Sequence, residues 1–233
     1  YRCHLPVPPN GDASEQVISA LVDVPDPRAR LIIELSTIGP RAAERCGELA
    51  DAAGWRYVDA PVSGGVRGAV TGELSVMVAG RAADVAASMP VLQHIASKPF
   101  VMGERPGLGQ VMKLANNAIA LAVLPITSEA LTFGAAYGLG IEEMIDVINA
   151  SSGRTQRSEG MFPTSIIPRT FDHGAHGETT RKDVSLYVEE ARRVESPIDI
   201  GEVVKQIYES FVETHPATDY SYLHEFVMNL RKP

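Results

Sequence analysis

The chain has 233 residues, of which 45% are hydrophobic, and its formal net charge at pH 7 is −8. This length accommodates one large domain or two modest ones, and the acidic balance argues against a nucleic-acid-binding protein, which would present a basic face. Two cysteines are too few for a disulfide scaffold, and the six histidines lack metal-ligand spacing. We therefore expect a cytoplasmic protein with no metal site.

The first part of the chain alternates helical patterns with short apolar runs. Helices are predicted at residues 13–21, 40–54 and 82–95, the last interrupted by Pro90. Strands are predicted at residues 31–36, 56–62, 74–80 and 99–103. Such alternation favours an α/β sheet with parallel members.

The second part of the chain is predicted to be entirely helical. Apolar residues recur at helical spacing over residues 110–138, and further helical patterns follow at 141–151, 180–195 and 200–215. Pro125 lies inside the longest pattern and is expected to kink or split that helix. The most apolar stretch is interrupted by Asn116, Asn117 and Pro125, so no apolar run is expected to reach membrane-spanning length. We predict an α/β domain over residues 1–106 and a helical domain over residues 107–233.

A glycine-rich stretch over residues 59–80 separates two predicted strands. It places Ser63, Gly64 and Gly65 at the carboxyl end of a strand, where open α/β sheets hold ligands. Bare backbone N–H groups beside a hydroxyl suit a carboxylate or an oxyanion. A glycine-rich hairpin connection with Ser63 as a turn residue fits the same pattern.

Lys113, Asn116 and Asn117 are spaced to share one helical face in an apolar setting. Burial lowers the pKa of a lysine toward the range in which it can transfer protons near neutral pH. Asn117 could hold that ammonium group or a substrate hydroxyl. A lysine that extends to solvent, with two asparagines on the helix surface, is the alternative.

Three shorter stretches have ordinary explanations when each is taken alone. Residues 4–10 are typical of a proline-rich loop that leaves a strand, and Ser36 or Thr37 is a default helix N-cap. Residues 181–183 are typical of a solvated helix start.

Together these stretches resemble the β-hydroxyacid dehydrogenases, the family of 3-hydroxyisobutyrate dehydrogenase, over nearly the whole chain. The matching motifs are Leu5, Pro6 and Asn10, then residues 36–38, 59–80, 107–117, 149–154 and 182–183. The resemblance implies a Rossmann-type α/β domain followed by an all-α domain, with a long interdomain helix. It also implies an enzyme that uses NAD or NADP to interconvert a short 3-hydroxy acid and its semialdehyde or keto acid.

The resemblance implies a role for each matching residue. Lys113 would be the general acid/base, and Ser63 and Asn117 complete the catalytic set. The substrate would contact Ser63, Gly64, Gly65 and Asn117. The dinucleotide would contact Leu5, Pro6, Asn10, Thr37 and Lys182.

The chain departs from the family pattern at its start and in the segments that line the substrate pocket of relatives. It has no G-x-G-x-x-G turn, so we expect the N-terminal part of the Rossmann domain to be missing and these residues alone to bind dinucleotide poorly. Gln156, Ala175 and Thr179 stand where relatives often have an aromatic or apolar residue. Basic residues populate the same segments: Arg154, Arg157, His173, His176 and Arg181. Either they face a larger or more anionic substrate, or they face solvent.

Other functions remain compatible with this pattern. A 6-phosphogluconate dehydrogenase would have a longer helical region, and imine reductases of this architecture usually replace the lysine. A non-catalytic helical dimer scaffold related to the family is a further alternative. The longest helical pattern is apolar on more than one face, so we expect a homodimer or a tetramer of dimers. We expect a small hydroxy acid as substrate and neither nucleic acid nor membrane as partner.

Overall fold

The computed structural model describes residues 3–25, 29–96 and 98–230. The chain divides into two compact units, one up to Asn116 and one from Asn117 onward. This division falls within a single helix. The domain boundary predicted at residues 106 and 107 lies just before that helix and stays a prediction.

The first unit contains five strands and four complete helices among its described residues. In chain order they are α1 (Gly11–Val22), β1 (Leu31–Glu34), α2 (Pro40–Ala52), β2 (Arg56–Asp59), β3 (Val62–Ser63), α3 (Gly65–Thr71), β4 (Ser75–Ala79), α4 (Ala82–Leu92) and β5 (Phe100–Gly103). Helix α5 (Leu108–Ala136) begins in this unit.

The sheet is mixed and has parallel members, which confirms the predicted α/β class. Strands β1 and β2 are parallel, with Glu34 opposite Asp59, and β4 and β5 are also parallel. Strand β4 runs antiparallel to β2 and to β3. β1 is buried along its whole length, and β2 and β4 are buried apart from their first residues, as expected of strands covered on both faces.

Helices cover both faces of this sheet. Helices α1 and α2 pack on the face that carries Ile32 and Tyr57. Helix α4 packs on the opposite face, against Ile33 and Val58. These two apolar layers form the core of the first unit, because each removes the side chains of one strand face from water.

Three local predictions in this unit were wrong. The glycine-rich stretch contains helix α3 rather than a hairpin connection alone; this helix starts after Gly64 (φ 126°) and ends at Gly72 (φ 70°). The predicted strand over residues 56–62 is broken at Ala60–Pro61 into β2 and β3. Helix α4 continues through Pro90 instead of being interrupted there.

The second unit is helical throughout its described residues, apart from one isolated bridge between His176 and Asp219. Besides most of α5, its elements are α6 (Ile141–Asn149), a π-helical segment (Arg157–Ile166), α7 (Gly177–Arg193), α8 (Asp199–Thr214), a short 3₁₀ turn (Tyr220–Tyr222) and α9 (Leu223–Asn229). The sequence patterns did not predict the π-helical segment or α9. Leu124, Leu131, Phe162 and Phe211 are among the buried core residues of this unit.

Helix α5 is continuous through Pro125, contrary to the predicted kink or split. Proline has no N–H, so the carbonyl of Leu121 loses its usual helical donor. The Tyr208 hydroxyl donates to that carbonyl oxygen at 3.3 Å. Burial raises the pKa of Tyr208 far above its ordinary value, so the hydroxyl keeps the proton that it donates.

By length and composition alone, helix α5 is also long and apolar enough to cross a membrane. The expectation that no stretch reaches this length was wrong, because it treated Asn116, Asn117 and Pro125 as breaks in one continuous helix. The buried Leu124 and Leu131 belong to the core of the second unit. The same composition therefore fits the central helix of a folded domain.

Candidate active site

Several residues of the predicted site lie at the carboxyl ends of parallel strands in the first unit. A short segment before α1 runs beside β1, since the backbone N–H of His4 donates to Leu31 O at 2.9 Å and that of Leu35 donates to Pro6 O at 3.3 Å. Parallel strands end at one edge of a sheet, and ligands of α/β sheets bind there. Leu5 and Pro6 are thus next to the end of β1.

Asn10 and Thr37 lie at the same edge. The Asn10 side chain caps α1 by accepting from the backbone N–H of Ala13 at 2.9 Å. A Cβ added to Gly11 would lie 2.7 Å from the Cβ of Ala42, so the start of α1 packs tightly against α2. Thr37 lies in the loop between β1 and α2. The structure therefore brings together four of the five residues predicted to contact the dinucleotide.

Lys113 is buried, with 7% of its surface exposed. Asn116 follows it by three residues on α5 and therefore lies on the same helical face. The Asn116 side chain donates to Ser63 Oγ at 3.3 Å. This face of α5 is therefore turned toward the Ser63 loop, and the alternative of a lysine that extends to solvent is wrong.

Gly64 and Gly65 follow Ser63 directly and are exposed. Their φ values of 126° and 61° lie in the region that favours glycine. A Cβ at Gly64 would also approach Leu74 Cδ2 to 3.2 Å. The two glycines thus present uncovered backbone beside the Ser63 hydroxyl.

In the second unit, Asn117, Lys182 and Asp183 form a polar cluster. The Asn117 side chain donates to Asp183 Oδ2 at 2.7 Å, and Lys182 Nζ lies 3.1 Å from Asp183 Oδ1. Asp183 is buried and was named from the sequence only as part of the Lys-Asp pair. Its carboxylate orients both an asparagine predicted to hold substrate and a lysine predicted to hold cofactor.

Two buried residues of the first unit were missed by the sequence reasoning. Asp59 ends β2 and accepts from the backbone N–H groups of Gly107 and Gln110 at 2.9 and 3.0 Å. Burial raises its pKa to about 7, although these bonds act in the opposite direction. The Gln110 side chain bonds to the backbone of residues 36–39. A carboxylate inside the strand predicted over residues 56–62 was the only sequence signal for Asp59.

Among the basic residues of the pocket segments, Arg157 is buried, and His173 is half-buried with its ring against that of Tyr220. Arg157 is buried with its guanidinium over the Tyr220 ring, and its Nε donates to Ala120 O at 3.3 Å. Arg154, Gln156 and His176 are exposed. Arg157 therefore contributes to packing within the helical unit.

The comparisons with known proteins match both parts of the chain. The family model described as "NAD-binding of NADP-dependent 3-hydroxyisobutyrate dehydrogenase" matches residues 107–225, just over half of the chain. A second model, the NAD binding domain of 6-phosphogluconate dehydrogenase, matches residues 6–103. The chain belongs to the 3-hydroxyisobutyrate dehydrogenase family. Both models describe NAD-binding domains, so the predicted cofactor class, NAD or NADP, is confirmed.

Curated relatives and solved structures agree with this family. A 3-hydroxyisobutyrate dehydrogenase of Pseudomonas aeruginosa is 32% identical over 200 residues, which cover 82% of this chain and 67% of the relative. A 2-(hydroxymethyl)glutarate dehydrogenase of Eubacterium barkeri is 31% identical over 77% of this chain and 59% of its own length. The chain thus spans about 60% to two thirds of these relatives.

Among solved structures, the chain is similar to Mycobacterium tuberculosis 3-hydroxyisobutyrate dehydrogenase with L-serine. The TM-score is 0.87 at 27% identity, with 99% of this chain and 79% of that chain covered. This similarity confirms the predicted fold class, an α/β domain followed by an all-α domain.

The residues at the strand ends fit a dinucleotide. Leu5 is a large apolar side chain that is left exposed beside the end of β1. Helix α1 begins directly after Asn10, and a helix N-terminus favours negatively charged groups such as phosphates. Leu5, Pro6, Asn10 and Thr37 would hold this cofactor on the first unit.

Proposed function

We propose that this protein is an NAD(P)-dependent oxidoreductase that interconverts a short 3-hydroxy acid and its semialdehyde or keto acid. The observation that carries this proposal is the buried Lys113 on the helical face from which Asn116 contacts Ser63. An ammonium group is rarely buried unless it is used or paired, and a lysine on this face is placed to exchange a proton with a substrate held at the Ser63 loop.

Each site residue has a role in the proposed reaction. During oxidation, Lys113 Nζ accepts the proton of the substrate hydroxyl as the carbonyl forms, and it returns a proton to the carbonyl oxygen during reduction. The bound dinucleotide supplies the acceptor or donor of the hydride. Ser63 and the backbone of Gly64 and Gly65 hold the substrate carboxylate. Asn117, oriented by Asp183, positions the substrate.

The experiment that tests this role is turnover by the whole protein with 3-hydroxyisobutyrate, L-serine and 2-(hydroxymethyl)glutarate, each with NAD and NADP. We expect Lys113→Ala to lower kcat by at least a hundredfold, within the range attributed to general acid–base catalysis. Lys205→Ala is the matched control, because it removes a lysine whose only described ion pair is with Glu209 on the surface of α8. Turnover by Lys113→Ala at the wild-type rate would refute the assignment, and no turnover by the wild type would favour the scaffold.

The substrate is proposed to be a small hydroxy acid rather than a strongly anionic one. Three named relatives act, by their names, on 3-hydroxyisobutyrate, 2-(hydroxymethyl)glutarate and L-serine. The inward orientation of Arg157 supports the smaller substrates, since its guanidinium already bonds Ala120 and Gln156. A kcat/KM for 2-(hydroxymethyl)glutarate above that for 3-hydroxyisobutyrate would contradict this choice.

We also propose that the protein is a homodimer, or a tetramer of dimers, that associates through α5. Ile119, Ile126 and Phe133 are 71%, 60% and 67% exposed and follow one another at intervals of seven residues. This spacing forms an apolar stripe along the helix, and Ile200 extends the apolar surface beside it. Apolar surface of this kind is typical of subunit interfaces.

Sedimentation analysis tests the dimer. Ile126→Glu introduces a charge into the centre of the stripe and is expected to dissociate the protein at micromolar concentration. Val147→Glu is the control, because it places the same charge at an exposed valine of α6. A wild-type monomer at that concentration would rule out the proposal.

A cytoplasmic location is the remaining proposal. Cys3 and Cys46 are both free thiols, as is usual in reducing compartments. Fractionation of cells that express the protein at its natural level tests this, and recovery in the membrane fraction would contradict it.

A further inference from the structure

The Gln110 side chain joins the first turn of α5 to the loop after β1. Its Oε1 accepts from the backbone N–H groups of Ile38 and Gly39 at 3.0 and 3.3 Å, and its Nε2 donates to Ser36 O at 3.0 Å. Gln110 is fully buried. One amide therefore holds the backbone on both sides of Thr37.

Asp59 holds the same turn of α5 from the sheet. Its Oδ1 accepts from the Gly107 N–H and its Oδ2 from the Gln110 N–H, at 2.9 and 3.0 Å. Between them, a Cβ at Gly109 would clash with the carbonyl oxygen of Met77 and lie 2.7 Å from Asp59 Oδ2. The backbone of α5 thus rests directly on β2 and β4.

These contacts leave the start of α5 little freedom to slide or rotate. A rotation of the helix would break the Asp59 bonds, and a shift along its axis would draw Gln110 away from residues 36–39. Lys113 follows Gln110 by one helical turn, so its position depends on both anchors. Misplacing a reacting group by about 1 Å can cost roughly a hundredfold in rate.

We propose that Gln110 and Asp59 are positioning residues that fix Lys113 relative to the loop carrying Thr37. The inference rests on the proposed function, in which Lys113 transfers the proton and Thr37 contacts the dinucleotide. Neither anchor touches the reacting atoms. Each acts through the backbone, by holding the helix and the loop in one arrangement.

The variants separate positioning from general stability. Gln110→Met keeps the volume of the side chain and removes all three of its bonds, and Asp59→Asn keeps an acceptor for one backbone N–H and loses the other. Val58→Ala is the control, because it opens a cavity at the neighbouring residue of β2 without removing a bond to α5. All three should lower the Tm of the protein.

The kinetic test uses the whole protein. We expect Gln110→Met to lower kcat at least tenfold and to change the KM for the hydroxy acid less than threefold. Asp59→Asn should lower kcat by a smaller factor, and Val58→Ala should keep kcat within twofold of wild type. The inference is overturned if Gln110→Met and Asp59→Asn keep kcat within the same twofold limit as the control.

Hydrogen exchange gives a second measurement that does not depend on turnover. Gln110→Met should accelerate exchange at least tenfold in both residues 36–39 and residues 107–113, whereas Asp59→Asn should accelerate only the second segment. Val58→Ala should not accelerate exchange selectively in either segment. Unchanged exchange in Gln110→Met would overturn the inference whether or not the wild type turns over a hydroxy acid. The absence of turnover by the wild type would instead refute the proposed function itself.

Discussion

The two units of the molecule use their buried polar side chains for different purposes. In the first unit, Asp59 and Gln110 accept from backbone N–H groups at the start of α5 and just before α2. In the second unit, Tyr208 and Arg157 donate to backbone carbonyls in the middle of α5. The first pair holds loops beside the candidate active site, and the second pair supports a helix that a proline has weakened.

This difference follows from the backbone of each unit. The start of a helix leaves N–H groups without an intrahelical acceptor, and the helices that follow β1 and β5 start at the sheet edge that binds ligands. A proline inside a helix leaves a carbonyl that needs a donor. Changes to Asp59 or Gln110 should therefore affect activity, while changes to Tyr208 or Arg157 should affect stability alone.

The largest expected effect is at Gly109. Gly109→Ala places a Cβ against the carbonyl oxygen of Met77, which is a backbone atom, and against the Asp59 carboxylate, which two backbone N–H groups hold in place. We expect a loss of about 3 kcal/mol in the free energy of unfolding of the first unit, at the upper end of typical overpacking costs. Urea unfolding followed by fluorescence measures it, because the single tryptophan, Trp55, is buried in this unit.

Gly160→Ala is the control for this variant. A Cβ at Gly160 meets nothing within 4 Å, and the residue lies in the π-helical segment of the second unit. Its effect on the free energy of unfolding should be within about 0.5 kcal/mol, as for most changes away from packed sites. An equal loss in the two variants would mean that α5 is not seated tightly on the strands.

Whether the sequence predicts one of these contacts depends on how far apart its two residues lie along the chain. The shared face of Lys113 and Asn116 follows from helical spacing alone, and the structure places that face toward Ser63. The role of Gln110 depends on residues 36–39, which lie more than seventy positions earlier in the chain. Local periodicity contains no information about such a pair.

Pro125, in the second unit, is another residue whose structure local periodicity does not predict. A proline inside a helical pattern predicts a kink, because the local rule counts only the bond that is lost. The compensating donor, Tyr208, comes 87 positions after Leu121 and reaches its carbonyl only after α8 has packed. The family resemblance predicts site residues that are distant from one another because it combines motifs that are far apart in the chain.

The second prediction concerns the pH dependence of stability and Asp59. Burial raises its pKa in the folded protein to about 7 from an ordinary value of 3.8, so the folded state holds this proton more tightly. As the pH rises from about 4 to 7, this group therefore lowers stability, and above 7 it adds no further change. Lowering the pH from 8 to 5.5 should stabilise the wild type relative to Asp59→Asn by about 2 kcal/mol, since one pKa unit corresponds to 1.36 kcal/mol.

Urea unfolding of the two proteins at pH 8 and 5.5, followed by Trp55 fluorescence, checks this. Glu34 lies opposite Asp59 on β1, and burial raises its pKa as well. Because Glu34 is present in both proteins, its own titration cancels in the difference. If the difference in unfolding free energy between the two proteins does not change with pH, Asp59 is ionised at both pH values. It would then hold α5 as a charged group.

The smallest expected effect tests the helical side of the comparison. Tyr208→Phe removes only the hydroxyl that bonds Leu121 O, which should cost about 1 kcal/mol in the free energy of unfolding. Pro125→Ala returns a backbone N–H to the same carbonyl. In that background Tyr208→Phe should cost less, so a double-mutant cycle measured by thermal unfolding should show a coupling of about 1 kcal/mol.

The size of this coupling distinguishes two accounts of α5. If Tyr208 compensates for Pro125, the hydroxyl is needed only where the N–H is missing, and kcat should stay within twofold of wild type in all three variants. If the two changes are additive within about 0.4 kcal/mol, the hydroxyl stabilises the helix independently of the proline. The polar groups of the helical unit would then resemble Asp59 and Gln110, because each would hold its element in place whatever the backbone beside it supplies.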